Sequence, residues 1–153
     1  MIRTFARTIP ALIGFSLAVS FAQTGAPASL SLTARAPRTV TASEGVTVAA
    51  VVKNTSDTDQ TLSLGRNSDQ NCVFAPHVRV LKVGSREVVY PRGEPRICTQ
   101  ELRAETVPAN GEITLSRTLT LDPGEYVVEV WVKGFAGNAG VFLGGEPQRV
   151  TVR

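Results

Sequence analysis

The chain has 153 residues, enough for one domain, with 42% hydrophobic and 19% charged side chains. Its formal charge is +3, but Arg3 and Arg7 lie in residues 1–22, a stretch with no acid; without it the charge falls by two, to +1. So small a surplus excludes a nucleic-acid binder, which needs a concentrated basic patch.

Residues 1–22 read as a secretory signal. Arg3 and Arg7 make a basic start, IPALIGFSLAVSFA is an apolar run, and Ser20 and Ala22 are small residues spaced for peptidase cleavage. The run is shorter than the ~20 apolar residues that a spanning helix takes. Cleavage after Ala22 is therefore expected, with no membrane span afterwards. Residues 23–27 form a flexible lead, and 28–153 the folded domain.

No helical period appears beyond the signal. Short runs alternate with period two between Gly, Pro, Asn and Asp. ASLSLTA (28–34) puts Leu30 and Leu32 on one face. GVTVAAVVK (45–53) does the same for Val46, Val48, Ala50 and Val52. NTSD (54–57) is a turn cluster whose short polar side chains can bond their own backbone. QTLSLG (60–65) places Leu62 and Leu64 inward. CVFAPHVRVLKV follows from Cys72, and Pro76 makes the strand start after it or run along an edge. Gly84-Ser85 is the tip of a hairpin. PRGEPRIC (91–98) is a stiff loop, and for ELRAETV (101–107) strand and irregular structure remain open. GEITLSRTLTL (111–121) puts Ile113, Leu115, Leu119 and Leu121 on one face. Arg117 falls in that phase, so either its stem lies over the core or a bulge shifts the register. YVVEVWVK (126–133) is the next strand, GFAGNAGVFLGGE (134–146) a glycine-rich loop, and PQRVTVR (147–153) the last strand. Seven to nine strands at this spacing predict an all-β, immunoglobulin-like antiparallel β-sandwich.

The two cysteines, Cys72 and Cys98, predict one disulfide in an exported chain. By loop entropy it would stabilise the fold by roughly 3–4 kcal/mol. In LDPGEYVVEVWVKG, Pro123-Gly124 sets a turn from one sheet to the other. Leu121, Gly124 and Tyr126 have the spacing of a tyrosine corner, in which the phenol bonds back to the crossing loop. Trp131 then points away from the core, in phase with Val127, Glu129 and Lys133.

KNTSDTDQTLSL, the strand pair around the Gly-Ser tip and LDPGEYVVEVW together resemble the BsuPI family, immunoglobulin-like domains related to a bacterial intracellular proteinase inhibitor. The likeness spans roughly residues 45 to 133. It implies the β-sandwich and, as a further expectation, proteinase inhibition through an exposed loop. The export signal and cysteine pair are departures from that pattern and suit an exported relative.

Chemistry is sparse. His77, the one histidine, has no nucleophile motif near it and is expected at the surface. Copper would need more imidazole or soft ligands, the acids fit no calcium-binding spacing, and no cofactor is expected. Asn54-Thr55-Ser56 is a formal glycosylation sequon but reads as turn chemistry. Two loops can bind. In PRGEPRIC, the prolines and Cys98 would brace Arg92, Arg96 and Ile97, and Arg96-Ile97 resembles a bond offered to a trypsin-like protease. In the glycine-rich loop, Phe135, Val141, Phe142 and Leu143 either fold back to cover Trp131, the favoured arrangement, or form an exposed apolar patch. The expected function is a non-catalytic, secreted or periplasmic module acting through protein contacts at the cell envelope. Its partner would be an envelope protein or, as the alternative, an extracellular protease.

Overall fold

The computed structural model describes residues 27–153, so the signal segment 1–22 and the lead up to residue 26 lie outside the described residues. Two sheets pack face to face. The smaller holds β1 (Leu30–Arg35), β3 (Val46–Asn54) and β8 (Glu112–Leu119) in the order β1-β3-β8. Alternation in β3 drives Val46, Val48, Ala50 and Val52 inward, all fully buried. β8 supplies Leu115 and Leu119 from across the ladder. Each such valine or leucine stabilises the fold by about 1.5–3 kcal/mol relative to exposure.

The larger sheet is built around β9 (Gly124–Ala136). Its first half pairs with β11 (Gln148–Val152) on one edge and with β5 (His77–Lys82) on the other. Its second half pairs with β10 (Ala139–Gly144) and β4 (Gln60–Gly65). β6 (Val88–Tyr90) joins β5, β7 (Leu102–Val107) joins β4, and the two-residue β2 (Thr39–Val40) runs parallel to β11. Tyr126, Val128, Val130 and Val132 face inward from β9 and meet Val78 and Val80 of β5, Leu62 and Leu64 of β4, and Val150 and Val152 of β11 in one core.

There are eleven strands among the described residues, more than the seven to nine expected from spacing. β2 is too short to show a period. The stretch 134–146 is not a loop: β9 runs on to Ala136, turns at Gly137-Asn138, and returns as β10. Gly137 has φ +57°, which fits a tight hairpin turn. Glycine also serves at position 134, where a Cβ would collide with the Ser63 carbonyl of the adjacent β4. Of residues 101–107, left open by their pattern, Leu102–Val107 form an edge strand, β7.

The turn after β3 is held by its own side chains. Asn54 is fully buried; its Nδ2 donates to the carbonyls of Thr58 (2.8 Å), Pro108 (3.1 Å) and Val107 (3.3 Å). Its Oδ1 accepts from the backbone N–H and hydroxyl of Ser56. The amide of the formal sequon is thus occupied. After β8 the chain crosses between sheets through Leu121, which is buried, and the Tyr126 hydroxyl donates to the Asp122 carbonyl at 2.8 Å. A Cβ at Gly124 would sit 3.1 Å from the phenolic oxygen, so glycine leaves room for the ring.

Candidate functional site

Among the described residues, the outer face of β5, β9 and β10 gathers Trp131, Phe135 and Phe142, most of the aromatic side chains outside the core. On β9 the outward positions are Val127, Glu129, Trp131, Lys133 and Phe135. Trp131 stands opposite His77 of β5 on one side and Gly144 of β10 on the other. Phe142 stands opposite Lys133, diagonal to both Trp131 and Phe135. Diagonal neighbours on one face are within reach of aromatic side chains. Phe135 and Phe142 are 49% and 62% exposed, while Trp131 is half-buried.

The expected cover over Trp131 does not form. β10 is locked to β9 by its ladder, and period two sends Val141 and Leu143 into the core and Phe142 outward. The same pairing leaves Phe135 on the open side. A groove of about 760 Å³ runs between these aromatics and residues 65–69, with Arg66, Asn67 and Asp69 on its far wall.

His77 is corrected from surface to buried: it is 3% exposed. Its ring lies 6.0 Å from that of Trp131 between centroids. Burial, followed by the positive charges of Arg117 and Lys133, pushes its pKa down to about 4. The ring is neutral at pH 7, and Nδ1 has no hydrogen-bond partner among the described residues. Nearby, Arg79 pairs with Glu129 at 2.6 Å across the β5–β9 ladder. Arg66 pairs with Glu101 at 2.6 Å, and its guanidinium carbon stands 4.3 Å from the Phe74 ring centre.

Cys72 and Cys98 form the disulfide, with Cα atoms 5.4 Å apart. It fastens the loop 91–98 to the segment that follows the 3-10 turn Ser68–Gln70. The Arg96 N–H adds a bond to the Ser68 carbonyl at 3.0 Å. Arg92 and Arg96 are exposed, and Ile97 is completely so. The two predicted binding segments are therefore not merged. They flank the 68–70 turn, with the aromatic groove on one side and the stapled loop on the other. Arg66 and Gln70 were not legible as site residues, because the turn that positions them has no periodic signal. Arg117 did carry a signal, a charge in a core phase; its register with β3 is unbroken, so no bulge is involved.

Among the described residues no three potential metal ligands converge, and no helix is long and apolar enough to cross a membrane. No protein-family model and no curated protein matches the chain. Among solved structures it is similar to the X-ray structure of the Northeast Structural Genomics Consortium target SoR45. The match has a TM-score of 0.53 and 10% identity, and covers 82% of this chain and 88% of that one. At that identity the likeness shows the all-β fold and nothing of function. A β-glucosidase from Listeria innocua, solved in complexes with glucose and with isofagomine, matches 80% of this chain over 16% of its own length, at a TM-score of 0.39 and 16% identity.

Proposed function

We propose that this chain is an exported, non-catalytic immunoglobulin-like module that works by protein–protein contact at the cell envelope, using the outer face of β9 and β10. The observation that carries this reading is the row Trp131, Phe142 and Phe135. Two large aromatics stand exposed on a rigid two-strand ladder beside a groove, rather than on a mobile loop. Aromatic side chains are enriched at interfaces and dominate their energetics, and a pre-formed surface lowers the ordering cost of association. The Arg79–Glu129 pair and Lys133 would form the polar rim. Export is supported by the signal-like residues 1–22 and by the disulfide, which persists in oxidising compartments. Mass spectrometry of the mature protein should find Gln23 at its N-terminus; an intact Met1 would remove the export part of the reading.

The test of the contact face is co-purification from the envelope fraction. Wild type should retain a defined partner that a Phe135→Ser/Phe142→Ser variant loses while keeping its melting temperature. Equal recovery by both proteins would overturn the assignment.

A second reading is favoured by the other segment. Arg96-Ile97 stands on a loop held by a disulfide and by a backbone bond, with Ile97 fully exposed. Together with the BsuPI-like motifs, this is the form a substrate-like protease inhibitor takes. Stoichiometric inhibition of a trypsin-like protease, abolished by Arg96→Ala, would establish it in place of the first.

A further inference from the structure

We propose that the cleft beneath the loop 91–98 is a binding site for a compact oxyanion, a carboxylate or phosphate group, taken up by the guanidinium of Arg117. The site is separate from the aromatic face. Arg117 leaves β8 in the core-facing phase, opposite Val48 of β3, and carries its head out from between the sheets. Nη1 donates to Gln70 Oε1 at 2.7 Å and to the Pro76 carbonyl at 3.4 Å. Gln70 is buried, and the same Oε1 accepts from the Val78 N–H at 3.1 Å, so the group that holds Arg117 is itself held by β5. The guanidinium carbon lies 5.7 Å from the centre of the Tyr90 ring.

Both acceptors are neutral. Among the described residues no carboxylate pairs with Arg117, and its Nε and Nη2 donate to no protein atom. A half-buried cation usually finds an anionic partner. Here the fork has no carboxylate partner and several unused donors, pre-positioned by Gln70, which is the arrangement that binds a carboxylate or phosphate in a bidentate way. In front of it lies a cleft of about 780 Å³, with Arg92 and Arg96 contributed by the loop. Asp69, Glu94 and Asp122 also line the cleft, so the charge around it is balanced. That balance restricts the site to a single small anionic group rather than a polyanion.

The experiment is calorimetric titration of the mature chain at low ionic strength, with inorganic phosphate and with acetate in separate arms. One or both should bind saturably at one site in the millimolar range or tighter. Preference for phosphate assigns a phosphoryl ligand, and preference for acetate assigns a carboxylate such as a chain terminus. Arg117→Gln should weaken binding by about tenfold or more, the scale of a lost charged hydrogen bond. The rim variant Arg92→Gln/Arg96→Gln, exposed and harmless to the fold, should weaken it by a smaller factor. Should Arg117→Gln fail to fold, the rim variant decides, and unchanged affinity there overturns the proposal. So does the absence of saturable binding by either probe, or wild-type affinity in a folded Arg117→Gln protein.

Discussion

His77 is a neutral ring buried beside an indole, and its lowered pKa makes the fold sensitive to acid. The unfolded chain takes up a proton near pH 6.5, whereas the folded protein does so only near pH 4. The associated stability is fully present above pH 6.5 and is lost as the pH falls through about 4. With allowance for screening by water in the adjoining groove, it amounts to roughly 1–2 kcal/mol. Melting curves between pH 7 and 4 should fall more steeply for wild type than for His77→Phe, which also removes the unpartnered Nδ1. Parallel curves would show that the ring titrates normally. Asn54 makes the opposite case, a buried polar group with every contact satisfied. Asn54→Ala leaves the carbonyls of Thr58 and Pro108 without this donor and should cost about 2–3 kcal/mol by chemical denaturation; a loss under 0.5 kcal/mol, about the size of a surface change, would contradict that role. The tyrosine bond was legible because its parts lie within six residues of one another. The burial of His77 was not, because the residue beside it, Trp131, is distant in sequence and only the ladder register brings them together.

At the scale of elements, alternation located the ladders because a sheet with one buried face requires it. It failed where glycine broke the pattern. In GFAGNAGVFLGG only Val141, Phe142 and Leu143 display the alternation, and the glycines at its two ends meet close approaches of neighbouring strands, Gly134 the Ser63 carbonyl and Gly145 the Ala34 backbone. Gly134→Ala should therefore destabilise by about 2 kcal/mol or more, since the new methyl meets the Ser63 carbonyl in the β4–β9 ladder. An unchanged melting temperature would mean that the strands are not so close. The disulfide belongs to this scale as well. A Cys72→Ala/Cys98→Ala protein should lose roughly 2–4 kcal/mol of stability and become cleavable within residues 91–98. Resistance to proteolysis there would place the restraint elsewhere, in the Arg96–Ser68 bond.

For the whole molecule, the sandwich buries one core and leaves recognition to what its two layers expose. The sequence marked both candidate regions by composition, one by prolines next to a cysteine, the other by aromatics among glycines. It could not show that they stand on opposite sides of the Ser68–Gln70 turn, or that the aromatics ride on a ladder, because both depend on pairings between residues far apart in the chain. The most direct measurement is site-specific photo-crosslinking in the native compartment, with a benzophenone side chain at position 142 in one protein and at position 97 in another. A contact face on β9 and β10 predicts a discrete adduct from position 142 and none from position 97. Adducts from position 97 alone would contradict it and place recognition on the stapled loop.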